Sequence, residues 1–229
     1  MSQAISLSGT SSILKATFYP PLELQGEYGI GLIDFHTFNS IPNVNEANNK
    51  ITIGKRNLEI PTGTWEIDEL NTWINNALKS KSSDKDVFYL QGNLNTMKCE
   101  MRGETDAIDL SSPTSIAPLL GFHRKIYSAG KKHESQLPVQ ISGAVEDIRI
   151  QCSVATGSFD NNRPSNIVYA FYPDVPPGFK IIQRPSTIIY YPLNTNTISE
   201  ITVCILDHKN RLIDFRGERI TLRLHLNRQ

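Results

Sequence analysis

Cysteine is scarce. Cys99, Cys152 and Cys204 are the only three in 229 residues, widely separated and each inside an apolar or alternating run (MKCEM, IRIQCSV, ITVCIL). An odd, scattered set cannot build a complete disulfide framework, and with no close CxxC pair it lacks the spacing of a structural zinc site. Reduced, buried thiols on strands are the expectation. Charge of one sign is missing too: 23 Lys plus Arg balance 23 Asp plus Glu. The basic surplus of a dedicated nucleic-acid binder is therefore absent, and no specific nucleic acid is expected as a partner. No run approaches the roughly 18 apolar residues of a membrane-spanning helix. Met1–Thr10 is Ser-rich, with neither a basic start nor an apolar stretch. No secretory signal is expected there, and synthesis inside the cell is. Alanine, at 10 residues, is too sparse to support many long helices.

What is abundant points to strands. Ile, Thr, Phe, Val, Tyr and Trp total 69 residues. Such β-branched and aromatic side chains suit a pleated, half-buried surface. Extended segments are predicted over Ser11–Gln25 (bent at Pro20 and Pro21), Tyr28–Phe38, a hairpin within Ile51–Ile60, Val87–Leu90 with Thr96–Met101, Val145–Val154, Ile167–Phe171, Lys180–Gln183, Ser186–Tyr191 and Ile198–Leu206. The last strand alternates most clearly, with Ile220, Leu222, Leu224 and Leu226 opposed to Arg219, Thr221, Arg223 and His225. One helix is predicted, because Ile67, Leu70, Trp73, Ile74, Ala77 and Leu78 recur at three- and four-residue spacing. Thr64 is its expected N-cap, with Glu66, Asp68 and Glu69 placed well for the helix dipole. A second, short helical turn is expected over Ser115–Leu120. Ser128–Leu137 and Gly157–Asn166 read as polar loops. Helices do not alternate with strands, so a parallel α/β sheet is disfavoured. The fold class is all-β, mainly antiparallel: a single jelly-roll β-sandwich with one or two short helical insertions. Residues 1–12 read as a flexible N-terminal tail and 13–229 as one domain.

Catalytic chemistry finds little support. There is no HExxH and no GxSxG elbow, and Tyr28-Gly-Ile-Gly31 lacks the third glycine and following helix of a dinucleotide loop. Asp34 and His36 share a strand face, which fits an edge-facing polar pair better than a metal ligand pair or a base with its orienter. His208 and His225 read as solvated. Asp207–Asp214 holds two aspartates but not the glycine of an EF-hand loop, so a polar turn is favoured over calcium. No catalytic residue, metal ligand, cofactor or cofactor-binding residue is assigned. Arg216, Arg219, Arg223 and Arg228 form a modest basic cluster without a stacking aromatic array. Asp174-Val-Pro-Pro-Gly-Phe-Lys180 is different, since two prolines stiffen a turn that Tyr169, Phe171, Tyr172, Phe179, Tyr190 and Tyr191 surround. A rigid turn loses little entropy on docking, and aromatics anchor interfaces. The candidate interface residues are Asp174, Pro176, Pro177, Phe179, Arg219 and Arg223.

Several segments, in order, carry a resemblance. They are Ser40-Ile-Pro-Asn-Val-Asn45 with Asn48-Asn-Lys50, Glu59-Ile-Pro-Thr-Gly-Thr-Trp-Glu-Ile-Asp-Glu-Leu70, Leu119-Leu-Gly-Phe122, Val175-Pro-Pro-Gly-Phe-Lys180, and Leu212-Ile-Asp-Phe-Arg-Gly-Glu218 leading into Ile220–Leu226. Their combination resembles the minor capsid, or penton, proteins of Polinton (Maverick) elements and adintovirus-like DNA viruses, over roughly residues 40 to 226. The resemblance implies a single jelly roll whose homopentamers close the fivefold vertices of an icosahedral capsid. It further implies a double-jelly-roll major capsid protein as neighbour, location in the virion, room for a host receptor, and neither enzyme activity nor cofactor. The competing expectation is a carbohydrate- or receptor-binding β-sandwich, which shares the fold.

Overall fold

The computed structural model describes residues 2–79, 87–139 and 147–229. In chain order its elements are β1 (Ser2–Gly9), β2 (Ile13–Glu23), β3 (Tyr28–Phe38), β4 (Lys50–Ile53), β5 (Arg56–Glu59), α1 (Ile67–Leu78), β6 (Phe88–Asn93), β7 (Lys98–Gly103), β8 (Ile108–Asp109), β9 (Ile126–Tyr127), β10 (His133–Glu134), β11 (Ile148–Cys152), β12 (Ser158–Asp160), β13 (Arg163–Ser165), β14 (Ile167–Phe171), β15 (Lys180–Gln183), β16 (Tyr191–Pro192), β17 (Thr197–Leu206) and β18 (Ile220–Arg228). Every strand pair is antiparallel. The chain divides into two compact units, Met1–Ile41 with Val145–Gln229, and Pro42–Ala144.

The first unit is a jelly roll. Its sheets run β1-β18-β3-β15, with β16 also on β3, and β14-β11-β17-β2. Ranking the eight main strands 1 to 8 along the chain gives orders 1-8-3-6 and 5-4-7-2. First pairs with last, second with seventh, third with sixth and fourth with fifth, as when one long antiparallel hairpin is rolled into two layers. Between the layers lie Leu222, Leu224 and Leu226 of β18, Ile30, Leu32 and Phe35 of β3, Ile148 and Ile150 of β11, and Ile201, Val203 and Ile205 of β17. The Phe35 ring packs at a tilt against Phe171 and Phe215, centroids 5.4 and 6.4 Å away.

Residues 1–12 are not a tail. Ile5 and Leu7 are buried, and all of Ser2–Gly9 pairs with β18. Alternation in ISLSG sends alternate side chains into the core, and β1 is the first strand of the roll. Nor are residues 13–229 a single compact unit, because Pro42–Ala144, inserted between the third and fourth main strands, has a core of its own. The expected polar loops also hold pairing: β10 lies within Ser128–Leu137, and β12 and β13 form a hairpin within Gly157–Asn166. Of the expected strand Ser186–Tyr191 only Tyr191 pairs. The first two residues of Val145–Val154 lie outside the described residues.

In the second unit, sheets β5-β4-β8-β9 and β10-β7-β6 enclose Ile51, Ile60, Leu70, Ile74, Phe88, Met101 and Leu110. The N-cap of α1 is Glu66, not Thr64, because Glu69 at the third helical position reaches back to the Glu66 N–H at 3.1 Å in a capping box. Two asparagines dock the helix on the open edge of β6. Buried Asn75 donates to the Phe88 carbonyl (2.7 Å) and accepts from the Val87 and Phe88 N–H groups (3.2 and 3.1 Å). Asn71 Oδ1 accepts from Leu90 N–H at 2.9 Å. The sheet edge is thereby satisfied by side-chain amides instead of another strand. Ser115–Leu120 forms turns, not a helix, with the Leu119 and Leu120 N–H groups both directed at the Ile116 carbonyl.

Candidate interaction surface

Ladder register places Arg219 and the end of the 174–179 turn at one end of the β1-β18-β3-β15 sheet. His36 lies opposite Ile182 on one side and Thr221 on the other, and Phe38 lies opposite Lys180. Antiparallel partners share a face, so Phe38 and Ile182 project outward together, 43% and 48% exposed. Counting back from Thr221, Arg219 is level with Phe38, and its guanidinium reaches Ser8 Oγ at 3.4 Å.

The 174–179 turn is held by the residue that ends β3. Asn39, 8% exposed, donates its N–H to the Phe179 carbonyl at 2.8 Å. Its carbonyl accepts from Gly178 N–H at 2.7 Å, and Nδ2 donates to the Val175 carbonyl at 2.8 Å. Gln183 adds a contact to Asp174 at 3.4 Å. Gly178 sits at φ +82, a conformation that excludes most side chains. Pro176 and Pro177 are exposed, Phe179 is 63% exposed, and Tyr172, at the entrance, is 74% exposed. The turn thus presents apolar groups to solvent on a fixed frame. Of the surrounding aromatics, Phe171 is buried and Tyr169 packs against the core.

Arg223 belongs to a different arrangement. Its Nε lies 3.0 Å from both oxygens of Asp34, and Nη2 makes a further bond to Oδ2. Asp34 is 1% exposed, and His36 Nε2 adds a contact at 3.5 Å. The hydrogen bond from Arg223, then that from His36, holds the Asp34 carboxyl below its ordinary range despite burial. Asp34 and His36 are therefore parts of an internal ion pair, and Arg223 is its cation. His225 is not simply solvated, since Nδ1 meets the Tyr190 hydroxyl at 2.6 Å and Nε2 meets Ser2 Oγ. His208 is half-buried rather than solvated. Asp207 is buried; burial would raise its carboxyl, but the N–H and guanidinium of Arg211 and the N–H of Lys209 hold it low. That is a structural turn, as its sequence suggested.

Among the described residues no group of three or more His, Cys, Asp or Glu is arranged to hold a metal ion. Cys99 and Cys152 are buried, Cys204 half-buried, and burial pushes the Cys99 thiol up to about 12. Composition did not point to Asn39, Phe38 or Ile182. One signal was available: Phe38 continues the Asp34, His36 phase of β3, an apolar residue on the polar side of the strand.

No protein-family model and no curated protein matches the chain. Similarity appears among solved structures. The crystal structure of the mavirus penton protein superposes with a TM-score of 0.53 over 99% of both chains at 11% identity. A chain of the Sputnik virophage cryo-electron microscopy structure matches at 12% identity, covering 98% of this chain and 97% of that one, with a TM-score of 0.44. The chain therefore carries the fold of the mavirus penton protein, the all-β jelly-roll class its own sequence implies.

Proposed function

We propose that this chain is a structural protein of a viral shell, a minor capsid (penton) subunit of the kind found in Polinton-like viruses. In this reading it acts without catalysis or cofactor. Its copies form a homopentamer at each fivefold vertex of an icosahedral capsid, next to a double-jelly-roll major capsid protein, and its location is the virion. The observation that carries the reading is the match to the mavirus penton protein along the full length of both chains, insertion included. A cyclic ring needs two different patches on each subunit. The Pro176–Phe179 turn with Phe38 and Ile182 qualifies as one, being apolar, exposed and rigid. Asp174 and Arg219 sit at its polar rim.

Solution mass, alone and with the major capsid protein, tests this reading. A fivefold mass, or incorporation into shells at the vertices, is the expected result. Phe179→Ser and Arg219→Glu should each weaken incorporation, the first more strongly, because buried aromatic anchors outweigh rim charges. Arg223 is unsuitable for that test, since reversing it breaks the Asp34 pair inside the subunit. A persistent monomer that stays out of shells and binds a glycan would favour the carbohydrate- or receptor-binding sandwich instead.

A further inference from the structure

The second unit carries an aromatic groove whose two tryptophans are half-buried against its core and leave part of each indole facing outward. Trp65, Asp68, Glu69, Thr72, Trp73 and Asn76 line an open depression of about 410 Å³. The indoles meet edge to face, centroids 6.1 Å apart and planes at 68°. Trp65 is fixed in place. Buried Asn43 accepts from its N–H at 2.9 Å and donates to its carbonyl at 2.8 Å, while the indole Nε1 donates to the Pro61 carbonyl at 2.9 Å. Among the described residues no Lys, Arg or His lines the depression. The Asp68 carboxylate has no hydrogen bond or ion pair among the described residues. Indole faces and an unengaged carboxylate together favour a cation, and a planar guanidinium above all, because it can stack on the ring while facing the acid.

The first unit presents such a group. Arg216 is exposed and stands at φ +54, uncommon for a non-glycine residue, directly before Gly217 at φ +78. Its turn is anchored: Asp214 Oδ1 accepts from Arg216 N–H at 2.7 Å, Phe215 is buried, and Ser40 Oγ donates to the Phe215 carbonyl at 2.5 Å. The Arg216 guanidinium makes no ion pair among the described residues. We propose that the Trp65–Trp73 groove of one copy receives Arg216 of a second copy, the guanidinium lying against the indoles and facing Asp68. The contact joins unlike patches, the head-to-tail geometry a ring requires. It rests on the self-assembly reading above.

The chain's only two tryptophans both line this groove, so their signals report on it alone. The test follows indole N–H resonances of the full chain against its own concentration, with sedimentation in parallel. Arg216→Asp and Asp68→Arg alter exposed positions whose side chains have no partner among the described residues, so the fold should survive, which circular dichroism checks. Wild type should show concentration-dependent indole shifts. Each single variant should abolish them and weaken association about tenfold or more, and the charge-swapped double variant should restore both. Association that leaves the indoles unmoved, or that the variants do not weaken, overturns this contact and spares the assembly reading. A wild type that neither associates nor enters shells overturns both. Failure of the swap to restore the shifts also rejects the pairing of these two residues.

Discussion

Asp34 shows how one buried charge is tolerated. A carboxylate 1% exposed would be costly alone, and Arg223 across the ladder with His36 on its own strand supplies the compensation. Its folded pKa lies below the ordinary 3.8, so the pair contributes fully above that value and fades as pH falls through the lower folded one. Thermal unfolding followed from neutral pH into acid should therefore lose stability more steeply in wild type than in Asp34→Asn, whose acid limb flattens. Parallel limbs would show that the carboxylate is not linked to folding. Alternation placed Asp34, His36 and Arg223 on strand faces, but it could not pair strands 189 residues apart in sequence. For that reason the ion pair that engages Arg223, whose side chain stays half exposed, was not legible in the sequence.

At the level of elements, α1 and β1 each depend on more than propensity. Hydrophobic spacing located α1 to within a residue, whereas nothing in that spacing singles out Asn71 or Asn75. Their role exists only because β6 has an open edge beside them. Asn75→Leu leaves the Phe88 N–H and carbonyl without their partner, a cost of about 2–4 kcal/mol in denaturant unfolding. A loss under about 0.5 kcal/mol would mean water substitutes for the amide. For β1 the corresponding change is Leu7→Ala, which empties a site 3% exposed between the sheets. About 2–4 kcal/mol of destabilisation is expected. A mere tail would give none, so the same measurement decides whether Ser2–Gly9 is a strand in solution.

The whole molecule pairs a rolled sandwich with an inserted unit of independent core. Among the described residues, none of the buried side chains of the jelly-roll core comes from Pro42–Ala144. Replacing that insertion with a short Gly/Ser linker should leave an antiparallel β protein that unfolds cooperatively, seen as a single sigmoidal circular-dichroism melt. A broad, non-cooperative melt would show that the roll needs the insertion. The excised protein would also lack the Trp65–Trp73 groove, while keeping the Pro176–Phe179 turn. Its incorporation into shells then separates the contributions of the two surfaces.

Period-two alternation, abundant Ile and Thr, and scarce alanine were enough to specify an all-β antiparallel body, most of its long strands and its helix. These are local properties, and neighbouring residues suffice to express them. The stiffness of the proline turn was legible for the same reason. Pairing of first strand with last, the promotion of Ser2–Gly9 from tail to strand, the separate core of residues 42–144 and the engagement of Arg223 all depend on residues far apart in the chain. Such contacts form only when closure brings distant segments together, and no local pattern encodes which edge a strand will meet.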